Sequence, residues 1–338
     1  MMEYSRKIKI TEIVLITALI FSFIASICVG SYNLTVREVV SSLLNGSPII
    51  WDIRLPRIVT SILVGASLGV SGAVMQCILR NPLASPFTLG VSQGAAFGAA
   101  FAIIFLGAGL MHRTGESVTI LNPYLVPFFA FLGSLINVFV ILTLSKLKNL
   151  SPEAMILAGV AMASLFQAAT MLMQYFADDV MVASVVFWTF GDMGRTNWNE
   201  IYIILTAFAV CITYFIFRRM DYNALTLSDE TAMSLGVNPQ KVRLESMLLS
   251  SFLTAICVSF TGIVGFVGLV APHSIRISVG GDHRYLIPFS AIFGAILLLV
   301  ADTFGRTALS PVLIPVGIVT AFVGAPMFIY LLLKGSWR

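Results

Sequence analysis

Charge is what this 338-residue sequence has least of: Asp, Glu, Lys and Arg together make up 11% of it, against 58% hydrophobic residues. That balance excludes a soluble domain with a charged surface and reads as an integral membrane protein. Histidine is scarce too. His112, His273 and His283 lie far apart with no metal-ligand spacing, so no metal site is expected. The four cysteines, Cys28, Cys77, Cys211 and Cys257, sit in apolar runs without paired spacing and read as buried small hydrophobes. There is no Gly-x-x-x-x-Gly-Lys-Ser/Thr phosphate loop and no nucleophile-base constellation, so no catalytic residue is assigned and the chain is not read as an enzyme. The 16 acidic residues lie in loops or near the ends of apolar runs, which argues against a secondary transporter driven by an ion gradient. The net charge of +4 serves to orient loops and gives no reason to expect a nucleic-acid partner.

What the sequence does have is apolar runs. Nine stand out, at 11–30, 58–78, 87–107, 124–145, 153–176, 200–217, 244–266, 286–301 and 312–333. The segment 268–279 is apolar but short, with Pro272, His273 and Arg276 inside it. Counting it as a span, with a cytoplasmic amino terminus, places 14 Lys and Arg inside and 6 outside; omitting it gives 11 against 9. Cytoplasmic loops carry the excess of Lys and Arg, so ten spans with both termini cytoplasmic are expected. Arg6, Lys7 and Lys9 precede an apolar run too long for a signal core, which reads as an uncleaved first span. Ser71-Gly-x-Val74 with Pro82, and Thr261-Gly-x-Val264 with Pro272, form a weak repeat beginning on opposite sides of the membrane. The stretch Ala177 to Asn199 reads either as a short interfacial helix or as a loop on the headgroups, and Gly107 to Asn122 as a polar connector.

The most informative stretch runs from Arg54 to Gly98. Between Ile58 and Ile78 lie about 20 residues, enough for roughly 30 Å of hydrocarbon. Ser61, Gly65, Gly69 and Gly72 recur at helical spacing and offer a face for close helix approach. Pro82 and Pro86 then impose a shaped turn. The Arg54-Leu-Pro-Arg57 element, the run Ser71 to Gln76 and Asn81-Pro-Leu-Ala-x-Pro86 resemble the FecCD/BtuC-like permeases of ABC importers that take up iron-siderophore complexes, haem and cobalamin. Gly268-Leu-Val-Ala-Pro272-His273, the run Leu313 to Ala321 and Gly324-Ala-Pro326 continue the match in the same order. The resemblance implies an all-α polytopic fold of about ten transmembrane helices, the type II ABC importer permease fold, in a single domain over 1–338. It also implies a homodimer in the cell membrane, working with two ATPase subunits and an external substrate-binding protein. ATP and Mg would be bound by the ATPase, with no cofactor on this chain. The substrate stays open among ferric siderophore, haem and cobalamin, with an oxyanion such as molybdate as the alternative.

The resemblance also suggests roles for particular residues. In the loop at about 221–243, Ser228 reads as an N-cap and Gly236 with Pro239 as a stop, which describes a short helix outside the membrane. The family's coupling element falls here, implicating Asp229, Glu230, Ala232, Leu235 and Gly236; the plainer reading is a solvated connector. Arg54, Arg57 and Arg306 are expected on the outside, against the positive-inside bias. They would receive acidic residues of the binding protein, or else pair locally, Asp52 with Arg54 and Asp302 with Arg306. For the path, the resemblance points to the gate turn Ser151, Pro152 and Glu153, then Met162, Gln167, Met171 and Gln174, and Thr320 near the end. A methionine stripe is also consistent with plain packing. Asn81, Pro82, Pro86, Pro272 and His273 are read as motif turns.

Overall fold

The computed structural model describes residues 2–30, 34–108, 111–114, 117–120 and 123–333. Its helices are α1 (Met2–Cys28), α2 (Val36–Leu44), α3 (Leu55–Ile78), α4 (Val91–Leu106), α5 (Leu125–Lys146), α6 (Pro152–Tyr175) and α7 (Asp179–Thr189). They continue as α8 (Trp198–Phe217), α9 (Arg219–Leu225), α10 (Asp229–Ser234), α11 (Pro239–Thr261), α12 (Val267–Val279), α13 (His283–Thr307) and α14 (Val316–Leu333). Seven are long and apolar enough to cross a bilayer. Among the described residues the shorter apolar helices α4, α7, α12 and α14 accompany them, in keeping with a fold of about ten transmembrane helices.

The chain is built around α3, which is buried over almost its whole length. Gly65 abuts the backbone of Gly294 on α13, Gly69 that of Ser290, and Gly72 that of Gly268 on α12, so a Cβ at any of them would meet main chain. This is the close-approach face that the small-residue spacing predicts. Gly94 on α4 meets Gly133 on α5 in the same way, where an added Cβ would lie 2.6 Å from the carbonyl oxygen.

The two short helices share an origin. After α3 the chain turns back through 79–90 into the protein before α4 begins; after α11 it does the same through 262–266 before α12. Irregular backbone at membrane depth is tolerated only where protein covers it. Here a buried side chain completes it at Leu89, whose carbonyl accepts from Asn137 Nδ2 at 3.0 Å, while Ser134 Oγ and Gln76 Nε2 donate to carbonyls in the first turns of α4 and α12, Val91 at 3.0 Å and Leu269 at 3.4 Å. The long-then-short order recurs in α3 with α4 and α11 with α12, but the weak sequence repeat does not map onto it: Ser71 to Val74 lie within α3 and Pro82 after it, whereas Thr261 ends α11 and Pro272 lies inside α12.

Several expectations are corrected. Helix α11 starts at Pro239 rather than 244, because Asn238 caps it by accepting from the Lys241 amide at 3.0 Å, and it ends at Thr261, where Gly262 takes φ +77°. Pro272 and His273 lie inside α12 and form no turn. Pro272 has no N–H for the Gly268 carbonyl one turn back, and that carbonyl is the group lying against Gly72. The 107–122 connector contains an antiparallel hairpin, β1 (Met111–Thr114) with β2 (Ser117–Ile120), Met111 opposite Ile120. Of the two readings of the 177–199 stretch the helix is the one present, as α7, whose Val185 and Trp188 turn inward and whose final carbonyls are capped by Arg195.

Tyr4 Oη donates to the Val279 carbonyl, so the start of α1 and the end of α12 share one face, here termed the amino face. Arg54, Arg57, Asp302 and Arg306 lie at the opposite face, around the end of α1.

Candidate functional site

On the amino face the predicted short helix is α10. Ser228 Oγ accepts from the Thr231 amide at 2.9 Å, and the helix stops where Gly236 takes φ +83°. It is preceded by α9, which the sequence did not suggest.

Asp229 is the centre of this region. Its carboxylate takes two hydrogen bonds from Arg243, at 2.8 and 2.7 Å, and pairs with Arg80. Arg243, buried near the start of α11, also donates through Nε to the Ile78 carbonyl at the end of α3. Arg80, in the left-handed region at φ 46°, gives its Nε to the Leu225 carbonyl at the end of α9. One carboxylate thus joins α10 to α3, α9 and α11. The hydrogen bonds from Arg243 hold the Asp229 carboxyl below its usual pKa. Sequence reasoning missed Arg80 and Arg243 as partners, because their distances along the chain from Asp229 carry no periodic signal.

The remaining loop residues divide by exposure. Ala232 is fully buried and seats α10 on the body, which removes it from any outward contact surface. Glu230, Leu235 and Gly236 are exposed, along with Leu227 and Met233, leaving an apolar patch on a helix outside the spans. A polar cavity of about 410 Å³ brings Asp229, Arg80, Arg243 and Gln240 together with Ser151, Pro152 and Glu153, so the two groups read separately from the sequence are neighbours. Ser151 caps α6, accepting from the Ala154 amide at 3.3 Å. Asn81 closes its own turn by accepting from the Leu83 amide at 2.8 Å, and the Pro86 carbonyl accepts from Val91 at the start of α4.

The opposite face holds the three arginines, and they do not project. Arg54 and Arg306 are each 7% exposed. Arg54 donates to the carbonyls of Ile27 and Cys28, and Arg306 to those of Ser26 and Val29, at the end of α1 where a helix leaves carbonyls unpaired by its own backbone. Arg57 meets Asp302 through both Nε and a terminal nitrogen, at 2.9 to 3.0 Å, and reaches Asp192 at 3.2 Å. Asp302, whose side chain is fully buried, also pairs with Arg306 at 3.1 Å. The i,i+4 pair between Asp302 and Arg306 is therefore present, inside a larger cluster.

A third feature is an apolar cavity of about 550 Å³ walled by α14, the re-entrant segment before α12 and the end of α7, with Gly265, Phe266, Gly317, Ala321 and Phe190 among its lining. The predicted path residues do not converge on it. Met162 is buried in the protein interior, Thr320 is buried and bonded to the Gly317 carbonyl, and Gln167 and Met171 face outward from α6, with Gln174 half-buried. Among the described residues no group of His, Cys, Asp and Glu could hold a metal ion.

The FecCD transport family matches residues 18–334, and the chain belongs to that family. A protein of Methanocaldococcus jannaschii named "Putative ABC transporter permease protein MJ0087" is 58% identical over 336 residues, covering 98% of this chain and 96% of that protein. The hemin transport system permease protein HmuU of Yersinia pestis is 35% identical, over 95% of this chain and 94% of that one. The solved structure "An inward-facing conformation of a putative metal-chelate type ABC transporter" superimposes with a TM-score of 0.84 at 33% identity, covering 96% of this chain and 99% of its own.

Proposed function

We propose that this chain is the membrane permease subunit of an ATP-driven importer for a metal chelate of the ferric siderophore, haem or cobalamin class. The observation that carries the reading is α10: a short helix outside the spans, with Leu227, Met233 and Leu235 exposed and its first residue clamped by Arg80 and Arg243. An apolar patch on a rigid mount is suited to a partner protein. The partner in this reading is the ATPase, which binds ATP and Mg, so that Glu230, Leu235 and Gly236 make the contact and Asp229 passes its force to α3 and α11.

The excess of Lys and Arg that the sequence assigns to the side of the amino terminus supports a cytoplasmic orientation for that face and for both termini, in a cell membrane. The chain works as a homodimer with two ATPase subunits, and the outward faces of α6 and α14 border the central passage. Gln167, Met171 and Gln174 of α6 then face the partner copy, and Ser151, Pro152 and Glu153 form the gate beside Asp229. The apolar lining of the cavity along α14 suits a large chelate held by weak contacts better than a small oxyanion. An external binding protein delivers the substrate to the opposite face, where Arg54, Arg57 and Arg306 support the docking platform.

The test is uptake by proteoliposomes carrying permease, ATPase and binding protein, supplied in turn with ferric siderophore, haem and cobalamin. ATP-dependent accumulation of one of them is expected. Uptake driven by an ion gradient without ATP would overturn the reading.

A further inference from the structure

A cavity of about 630 Å³ opens on the amino face between the end of α3, α9, α12 and the start of α13, distinct from the exposed surface of α10. Some of its charges are already engaged: Arg80 by Asp229, and Asp282 by Arg284 and Asn223. Three groups are not. Arg276, near the end of α12, has no hydrogen bond or ion pair among the described residues. Gln76, 3% exposed, keeps its Oε1 buried without a partner, and His283, 2% exposed, does the same with Nε2.

The neighbours of His283 define what that nitrogen offers. Asn223 Nδ2 donates to Asp282 at 2.9 Å, which fixes Asn223 Oδ1 as the acceptor for the His283 amide at 2.8 Å and for its Nδ1 at 2.9 Å. Nδ1 therefore carries the proton, and Nε2 presents a lone pair. Gln76 is oriented in the same manner, because its amide nitrogen faces the Leu269 carbonyl.

One cavity thus combines an unpaired guanidinium with two buried lone-pair acceptors, an arrangement that is unfavourable until a ligand completes it. The guanidinium selects anionic oxygens. The acceptors require an O–H on the same ligand. A cation is repelled by Arg276, and sulfate or a carboxylate near neutral pH has no proton to give. A phosphate monoester has its second pKa at about 6 and so retains a P–OH in part of its population near neutral pH. We propose that this cavity binds a phosphate monoester group, Arg276 holding its anionic oxygens while its single P–OH donates to one of the two acceptors, Gln76 Oε1 or His283 Nε2. Inorganic phosphate and the headgroup of phosphatidic acid both present this chemistry.

The purified full-length permease in detergent is titrated calorimetrically with inorganic phosphate and with sulfate; in a second arm, native mass spectrometry compares retention of phosphatidic acid and phosphatidylcholine. Saturable binding of phosphate at least tenfold tighter than sulfate assigns the free ion, and selective retention of phosphatidic acid assigns the headgroup; either supports the proposal. Arg276→Gln should weaken the binding at least tenfold, Arg276→Lys less, and Gln76→Leu should narrow the preference for phosphate over sulfate. An unfolding scan of each variant without ligand verifies folding. Equal binding of phosphate and sulfate with no preference for phosphatidic acid, unchanged binding in folded Arg276→Gln, or no saturable binding in either arm overturns it. So does a result in which Arg276→Gln impairs only ATPase assembly, since the cavity would then receive a partner carboxylate.

Discussion

Asp229 and Arg243 face each other across 2.7 and 2.8 Å, the first opening the short helix α10 and the second buried in α11. Because Arg243 also holds the last carbonyl of α3, one guanidinium ties α10 to two crossing helices, the route by which the proposed coupling would act. Asp229→Asn keeps the shape and removes the charge, leaving the Arg243 guanidinium buried without compensation. Hydrogen bonds to charged groups contribute about 1.5–3 kcal/mol, and the partial exposure of Asp229 favours the lower end. The expected outcome is a lower unfolding temperature with ATPase stimulation by substrate reduced several-fold, read in the reconstituted complex. Unchanged stability and stimulation would remove the lever.

Acid should loosen the same face. The bonds from Arg243 hold Asp229 low, and Asp282, which burial alone would raise, is held down to about 2 by Arg284 and Asn223. A depressed folded-state pKa contributes stability that is complete above the unfolded value of about 3.9 and is lost as pH falls through the folded one. Unfolding temperature should therefore be flat from neutral pH to about 5 and fall between about 4 and 2. Asp282→Asn should flatten that fall, and a profile identical to the parent chain would contradict the assignment.

Substitution of Leu235 by Asp with Gly236→Pro tests the contact surface. The first charges an exposed apolar residue, and the second forces φ near −65° where the chain adopts +83°. ATPase copurification should drop by tenfold or more, or uptake should stop while hydrolysis continues. Normal uptake with the ATPase bound would show that α10 is not the coupling element.

What could be read in advance was whatever short-range chemistry controls. The spacing of Gly65, Gly69 and Gly72 announced the buried face of α3, and Ser228 with Gly236 announced both ends of α10. Partners distant in sequence could not be read. Arg306 caps carbonyls of Ser26 and Val29, hundreds of residues earlier, and nothing in the sequence links those positions. Arginines at span ends expected on the outside suggested an external partner; in the structure Arg54 and Arg306 close the end of α1, and Arg57 pairs with Asp302. Pro272 misled differently: proline usually marks a turn, but here the freed Gly268 carbonyl is covered by Gly72 and the helix continues.

Sidedness can be tested at Gly281, which is exposed, follows α12 and has open space where a Cβ would go. In a background lacking the four native cysteines, a cysteine introduced there should react with an impermeant maleimide only from the cytoplasmic side. Because the Tyr4–Val279 hydrogen bond joins the ends of α1 and α12, reaction from outside would invert the assignment of the whole amino face.

The arginine cluster decides between a contact and a foundation. Arg57→Glu places a second carboxylate against the buried Asp302 and Arg306→Glu does the same from another side, so both should destabilise the permease. Removing one member of a buried pair costs about 3–5 kcal/mol, whereas replacing both by apolar groups of similar volume is often neutral. The combination Arg57→Met with Asp302→Leu is therefore expected to recover part of the lost stability, the remainder being the cost of Arg306 left without its carboxylate. The same variant separates two explanations of any change in binding-protein affinity. If Arg57 supports the platform from beneath, affinity should recover with stability, and its dependence on salt should match the parent chain. If Arg57 itself meets an acidic residue of the binding protein, the apolar pair restores the fold but not the affinity, and the salt slope becomes shallower. Titration of each purified variant at two ionic strengths, beside an unfolding scan, distinguishes them. The three hydrogen bonds from Arg57 to Asp302 and the carbonyl caps formed by Arg54 and Arg306 lead to the first outcome.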